Sequence, residues 1–448
     1  MRDFEQNWKL GRRDNGLARY SRGGVAPSII ADFANGAFGL GEKRLSFEEV
    51  VTHSRNSPGS FVSADGQLQT DAAGPRFDHD PASGNALGLL IEEQRTNLFY
   101  PSEDAVQWPM SPPNGFAVQS NVEDAPDGTA TADTLVPSAD LGFHISYMMF
   151  PGAVDTTYCQ SMFIKPMGDC SHVQLNLGSS GFPASGWVTF DLGNGVVSSS
   201  GADVDAAGIV PCGDGWYRIW LAATSDSNGG AYVAGIYAMN SGANLSFAGD
   251  GTSGYVVWGR QVEVGASPSS YCRTETGVAV RQGDTCFVDG ASFSENFNAS
   301  EGTVLAEFMI PSLESDTMHL LHLGDGTADN GIRLDLLPTG DVAIVIISGG
   351  VTQATVIGGS YQPGTLCKVA AAFSASGITI GLNGALVTDV TTVSMPVGLQ
   401  RMAVGHAEWG GWQPHQRNCW QGAVFQGKAV KFSGSVAFQL NHTRVSAS

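Results

Sequence analysis

Residues suited to holding a sugar are concentrated near the C-terminal end of this chain. Between His406 and Trp420 stand Trp409, Trp412 and Trp420, three of the nine tryptophans, interleaved with His406, His415, Arg417 and Asn418. Gly410-Gly411 and Pro414 keep the stretch out of a central strand. On a loop, the flat rings of Trp409 and Trp412 can stack on sugar C–H faces while His406, His415, Arg417 and Asn418 bond hydroxyls. The same rings also suit packing between subunits of an oligomer, and the sequence leaves both uses open. Trp420 reads as a core residue.

A second set has the same chemistry on a different scaffold. His172, Gln174 and Asn176 alternate with Val173, Leu175 and Leu177, the pattern of a half-buried strand with one polar face. Trp187 to Leu192 repeats the alternation and ends on Gly193-Asn194-Gly195, which predicts a hairpin connection of two or three residues. Trp187 with His172, Gln174 and Asn176 is therefore the secondary glycan-binding candidate.

Other chemistries find less support. No Gly-x-Ser-x-Gly elbow, phosphate-binding loop or His-Glu-x-x-His motif occurs. Gly36-Ala-Phe-Gly39-Leu-Gly41 has its glycines out of order for a dinucleotide loop and reads as a turn. His319 and His322 fall in an expected strand, where residues three apart face opposite sides and cannot share a metal. Asp325 and Asp329 cluster oxygens that could take calcium, although a plain hairpin turn is the favoured reading and no cofactor is expected otherwise. Hydrolysis of a glycan needs two carboxyl groups about 5–10 Å apart. Residues 301–448 lack the Glu-x-Asp-x-x-Glu strand that sandwich-fold glycosidases use, so no catalytic residue is assigned.

The elements that must position these groups are short strands. The chain has 58 glycines and 20 prolines in 448 residues, with no helical block, which describes an all-β protein of about three domains. Its net charge of −20 argues against nucleic acid, which selects a basic footprint. Lys9, Arg12, Arg13, Arg19 and Arg22 form a basic cluster in an aperiodic N-terminal arm, residues 1–25, that fits an acidic protein neighbour. Neither an 18-residue apolar span nor a signal-peptide core is present, so membrane insertion is not expected and the chain is expected to be made and kept in the cytosol. Seven scattered cysteines without Cys-x-x-Cys spacing indicate neither a disulfide framework nor zinc.

Turn-dense and polar stretches divide the remainder into a module at 26–100, a β-rich domain at 101–275, a linker at 276–300 and a second β-rich domain at 301–448. In the last, Val304, Ala306, Phe308 and Ile310 alternate with Thr303, Leu305, Glu307 and Met309, and Val342, Ile344 and Ile346 with Ala343, Val345 and Ile347, which predicts sandwich strands with apolar residues on both faces. Ile378–Val387 is the clearest hairpin, its Asn383-Gly384 supplying the positive φ angles of a type I′ turn.

The stretch Gly84-Asn-Ala-Leu-Gly-Leu-Leu-Ile-Glu-Glu-Gln-Arg-Thr-Asn-Leu-Phe99 resembles a signature of tailed-bacteriophage tail-fibre and head-spike proteins, with a lead-in at Phe61–Gly66 and Pro75–Asp80. From the residues alone, Leu87, Leu89 and Ile91 form one buried strand face, and Glu92, Glu93 and Arg95 a solvated or inter-chain ion-pair cluster. Gly213–Ile219 and Tyr255–Glu263, followed by Pro268–Tyr271, resemble a carbohydrate-binding jelly roll of phage fibres, in which Trp216 and Trp258 are favoured as core. The 301–448 region is similar to laminin-G or concanavalin-like sandwiches.

These resemblances imply a virion-surface protein made in the bacterial cytoplasm, with an anchoring N-terminal region and two antiparallel β-sandwiches. The implied partners are other virion proteins, copies of itself in a homotrimer, and host polysaccharide or lipopolysaccharide. A glycan-cleaving spike and a purely structural connector are the alternative readings.

Overall fold

The computed structural model describes residues 17, 27–111, 115–314, 316–389, 392–406 and 423–425. Strands dominate, and the two α-helices among the described residues, Phe47–Val50 and Gly290–Ser294, are single turns. Among the described residues no helix is long and apolar enough to cross a membrane. Two β-sandwiches carry the fold. The first packs a six-stranded sheet, whose members run from Phe116–Glu123 to Gly254–Val264, against a five-stranded sheet in the order Ile145–Phe150, Tyr232–Met239, His172–Gly178, Trp187–Asp191, Val196–Ser200. Its core joins Val173, Leu175 and Leu177 to Ile219, Leu221, Tyr255 and Val257.

The second sandwich is built from both ends of the chain. One seven-stranded sheet contains Thr52–Ser54 next to Thr285–Val288, and the other contains Arg76–His79 and Ala86–Ile91 next to Ala423–Phe425 and Glu301–Met309. Leu89 and Ile91 share one core with Val304, Phe308, Ile344 and Ile380. Residues 26–100 are therefore not a separate module. They complete the C-terminal sandwich, and the jelly-roll strands are an insertion between Ile91 and Thr285. The expected linker, 276–300, is likewise structured: Ala279–Arg281 pairs with Arg95–Asn97, and Thr285–Val288 is a sheet strand.

Local expectations fare variously. At the Asn383-Gly384 turn both φ angles are positive, 48° and 94°, and Leu382 pairs with Ala385. The connection after Trp187–Asp191 spans four residues, since Asp191 pairs with Val196. Gly36 and Gly41 do turn, at φ 57° and 58°, but Ala37–Leu40 between them is a strand. His319 and His322 do not face opposite sides. A register shift between His319 and Leu321 puts both on the face away from the core, opposite Asp335 and Arg333.

That bulge lets the His319 ring meet Asp335 Oδ1 at 2.7 Å, while burial pushes the His322 pKa down to about 3. Among the described residues no group of three His, Cys, Asp or Glu could hold a metal ion. Asp325 accepts from Thr327 N–H and hydroxyl and from Asn330 Nδ2, so its oxygens close its own turn.

Candidate functional site

The residues of the first sandwich separate cleanly by parity. On the five-stranded sheet the apolar positions enter the core, and His172, Gln174, Asn176, Trp187, Thr189, Asp191, Tyr147 and Tyr237 project from the other side. Antiparallel register aligns Tyr147, Gly235, Asn176 and Trp187 in one row across four strands. At the usual strand spacing the outer two Cα atoms stand about 14 Å apart. Ile145, Tyr237, Gln174 and Thr189 form the next row.

Glycine shapes this surface. A Cβ on Gly235 would lie 3.0 Å from Tyr237 Cε2, so the tyrosine ring leans over bare backbone, and the Asn176 carboxamide leans in the same way over Gly178. The result is a shallow floor with Tyr237 across it and half-buried Trp187 and Tyr147 at its sides. Gln174 Nε2 donates to Thr189 Oγ1 at 3.3 Å, and the His172 ring is 3.6 Å from Asp191. Asp191 also accepts from Asn194 N–H and Nδ2, which holds its carboxyl below the usual range. Burial raises the Tyr237 hydroxyl pKa, so the group stays protonated and able to donate.

The floor is fixed from beneath. Two buried polar side chains of the opposite sheet reach across the core to its backbone: Gln160 Nε2 donates to Gly235 O at 3.2 Å and Arg260 Nη2 to Ala234 O at 3.0 Å. Arg260 also stacks on Phe99, 4.3 Å from the ring centroid. Neither residue stands out in the sequence. A buried Gln or Arg looks like a surface residue until the facing sheet is known.

The other outer face of this sandwich is closed. Phe163, Val256 and Trp258 of the six-stranded sheet pack under Tyr271, Trp216 and Ala125. Trp216 and Trp258 are 4 % and 1 % exposed, which makes them core residues. Gly259, at φ 61°, supplies the bulge that turns Trp258 outward and Arg260 inward.

Of the primary candidates, Trp409, Trp412, His415, Arg417 and Asn418 lie outside the described residues. His406 is described, and its Nε2 accepts the Cys286 N–H at 3.1 Å while the ring meets Phe287 edge-on. That nitrogen holds a strand and is not offered to a ligand. Lys9, Arg12, Arg13, Arg19 and Arg22 also lie outside the described residues.

Glu92 and Arg95 are buried and Glu93 is half-buried, so the cluster is not a solvated one. Glu92 accepts from Arg76 Nη1 at 2.6 Å, and Asp284 accepts from Arg76 Nη2 at 2.6 Å and Arg55 Nη1 at 2.9 Å. The Arg95 guanidinium pairs with Glu93. This network sits where the chain leaves the second sandwich for the first and where it returns. Hydrophobic alternation reveals the strand before it but not the distant partners, which arrive from residues 270–284.

No protein-family model and no curated protein matches the chain. Among solved structures, the carbohydrate-binding module CBM66 from Bacillus subtilis aligns at 14 % identity over 33 % of this chain and 81 % of its own, with a TM-score of 0.22. Domains LG4-5 of the mouse laminin α1 chain align at 14 % identity over 66 % of this chain and 85 % of their own, with a TM-score of 0.20. The all-β architecture rests on the sheets described above.

Proposed function

We propose that this chain is a virion-surface component, a tail fibre or head spike acting as a homotrimer, that binds host-surface glycan with the outer face of the five-stranded sheet. The observation that carries the binding reading is the row of Tyr147, Gly235, Asn176 and Trp187 with the Tyr237 ring laid over the glycine. Rings at the sides and amides between them are what a sugar needs, since its C–H faces stack and its hydroxyls bond. The floor is long enough for more than one sugar ring.

Binding without cleavage is favoured because Asp191, the carboxylate in this face, spends its oxygens on Asn194. The virion placement rests on the Gly84–Phe99 signature. Trimer formation is supported by two strands that end their sheets among the described residues, Val351–Ser360 and Ala385–Asp389, which carry Val351, Ile357, Leu386 and Val387 exposed.

The test of binding is adsorption of the purified chain to host cells and to their extracted polysaccharide. Replacing both Trp187 and Tyr237 with Ala should weaken it about tenfold, from two aromatic contacts. Unchanged adsorption would remove the face as the site and return attention to Trp409 and Trp412. Cryo-electron microscopy of intact particles checks the virion placement, and mass photometry showing monomers alone would reject the trimer.

A further inference from the structure

We infer that the ligand of this face is an uncharged polysaccharide, and that acidic glycans and phosphate-bearing lipopolysaccharide cores are excluded from it. The inference rests on the glycan-binding reading above and adds the ligand class. It comes from where the positive charge is. Residues 101–275 contain four Lys or Arg against 17 Asp or Glu. All four cations stand elsewhere and are engaged.

Lys165 lies on the six-stranded sheet and pairs with Glu123. Arg218, on the same sheet, donates to Ser161 Oγ and Ser269 O. Arg260 is sealed in the core under the floor, held by Ala234 O and the rings of Phe99 and Trp108. Arg273 lies past the last jelly-roll strand and pairs with Glu103 and Glu275. The face itself presents tyrosine, tryptophan, carboxamide and hydroxyl groups, with His172 already facing Asp191 at 3.6 Å.

Among the described residues this surface holds no Lys or Arg to meet a uronate or phosphate, which would give up hydration on entering and would approach through the field of a strongly anionic domain. Both effects oppose binding. A neutral sugar has neither cost, because stacking on the rings and hydroxyl bonding to half-buried Asn176 and Tyr237 need no charge.

The experiment measures affinity of the full chain for a panel of neutral polymers (dextran, mannan, galactan, levan) and acidic ones (polygalacturonate, alginate, hyaluronate) at low and high salt. The same panel is run with Trp187→Ala/Tyr237→Ala and with the milder Asn176→Ala, each checked for an unchanged melting curve. The inference expects a neutral polymer to bind, salt to change its affinity by less than about twofold, and both variants to weaken it. Strongest binding to an acidic polymer, screened by salt and lost in the variants, would overturn the ligand class while keeping the face as a glycan site. Binding of either class that neither variant alters, or no binding at all, would sink the site and the inference together.

Discussion

Glu92 accepts two hydrogen bonds from Ser270, one from its backbone N–H at 2.7 Å and one from its hydroxyl at 2.6 Å, across a sequence separation of 178. Glu92 ends a strand of the second sandwich and Ser270 follows the last strand of the first. The contact is thus a clasp at the neck of an inserted domain. Asp284 completes it by accepting the Glu92 N–H at 2.9 Å while its own N–H donates to Glu92 O at 2.8 Å. Asn97 adds a third tie, its Nδ2 donating to Arg260 O and Cys272 O.

Breaking the clasp should cost far more than a surface ion pair. Asp284→Asn leaves Arg55 and Arg76 buried with one counter-charge removed, and the expected loss is about 3–5 kcal/mol. Calorimetry should show the change, with one unfolding transition in the parent chain and two in the variant as the sandwiches uncouple. A variant as stable as the parent would mean the network is dispensable.

The same network predicts acid sensitivity. Burial alone would raise the Glu92 carboxyl, but Arg281, Arg76 and Ser270 overcome it and hold the pKa at about 2, against an ordinary 4.5. Because the folded value lies below the unfolded one, this stabilisation is complete above about pH 4.5 and is lost as pH falls toward 2. Chemical denaturation across that window should show stability dropping steeply, and Glu92→Gln should flatten the drop.

Asp78 should behave in the opposite sense. Burial raises its pKa to about 6 from 3.8, so the folded state holds its proton more tightly and stability falls as pH rises between those values. Asn at this position keeps an acceptor for the Val62 N–H, which now meets Asp78 Oδ1 at 2.7 Å. Asp78→Asn is expected to stabilise the chain at pH 7 by about 1–2 kcal/mol, read from the denaturation midpoint. A loss of stability would show that the charge is needed.

Gly235→Ala tests the proposed glycan face apart from the core. The new methyl would meet the Tyr237 ring at 3.0 Å and push it off the floor. Adsorption should weaken roughly two- to tenfold, the worth of one aromatic contact, with little change in melting temperature. Trp258→Ala should do the reverse, costing about 3–5 kcal/mol of stability without altering glycan selectivity.

The N-terminal boundary can be tested on one leucine. Leu17 is 3 % exposed and clusters with Ile30 and Ala37. Deleting residues 1–25 removes this leucine and should lose about 1.5–3 kcal/mol, the burial of one leucine. Under the proposed virion role, the same deletion abolishes incorporation into particles.

What the sequence determined by itself was local. Period-two alternation put Val173, Leu175 and Leu177 in a core and His172, Gln174 and Asn176 on the opposite face, because successive strand side chains must point to opposite sides. Asn383-Gly384 specified its turn because few residues tolerate positive φ. What tertiary structure decided was pairing across distance. That Thr52–Ser54 lies beside Thr285–Val288 is not written in either segment, since strand edges offer the same backbone groups to any partner. Glu92 looked like a solvated acid because charge alone says nothing of burial, and its interior position is made tolerable by Arg76 together with the distant Ser270, Arg281 and Asp284. The Tyr237 platform was likewise hidden, since a ring over a glycine requires knowing the rotamer and the register of three neighbouring strands.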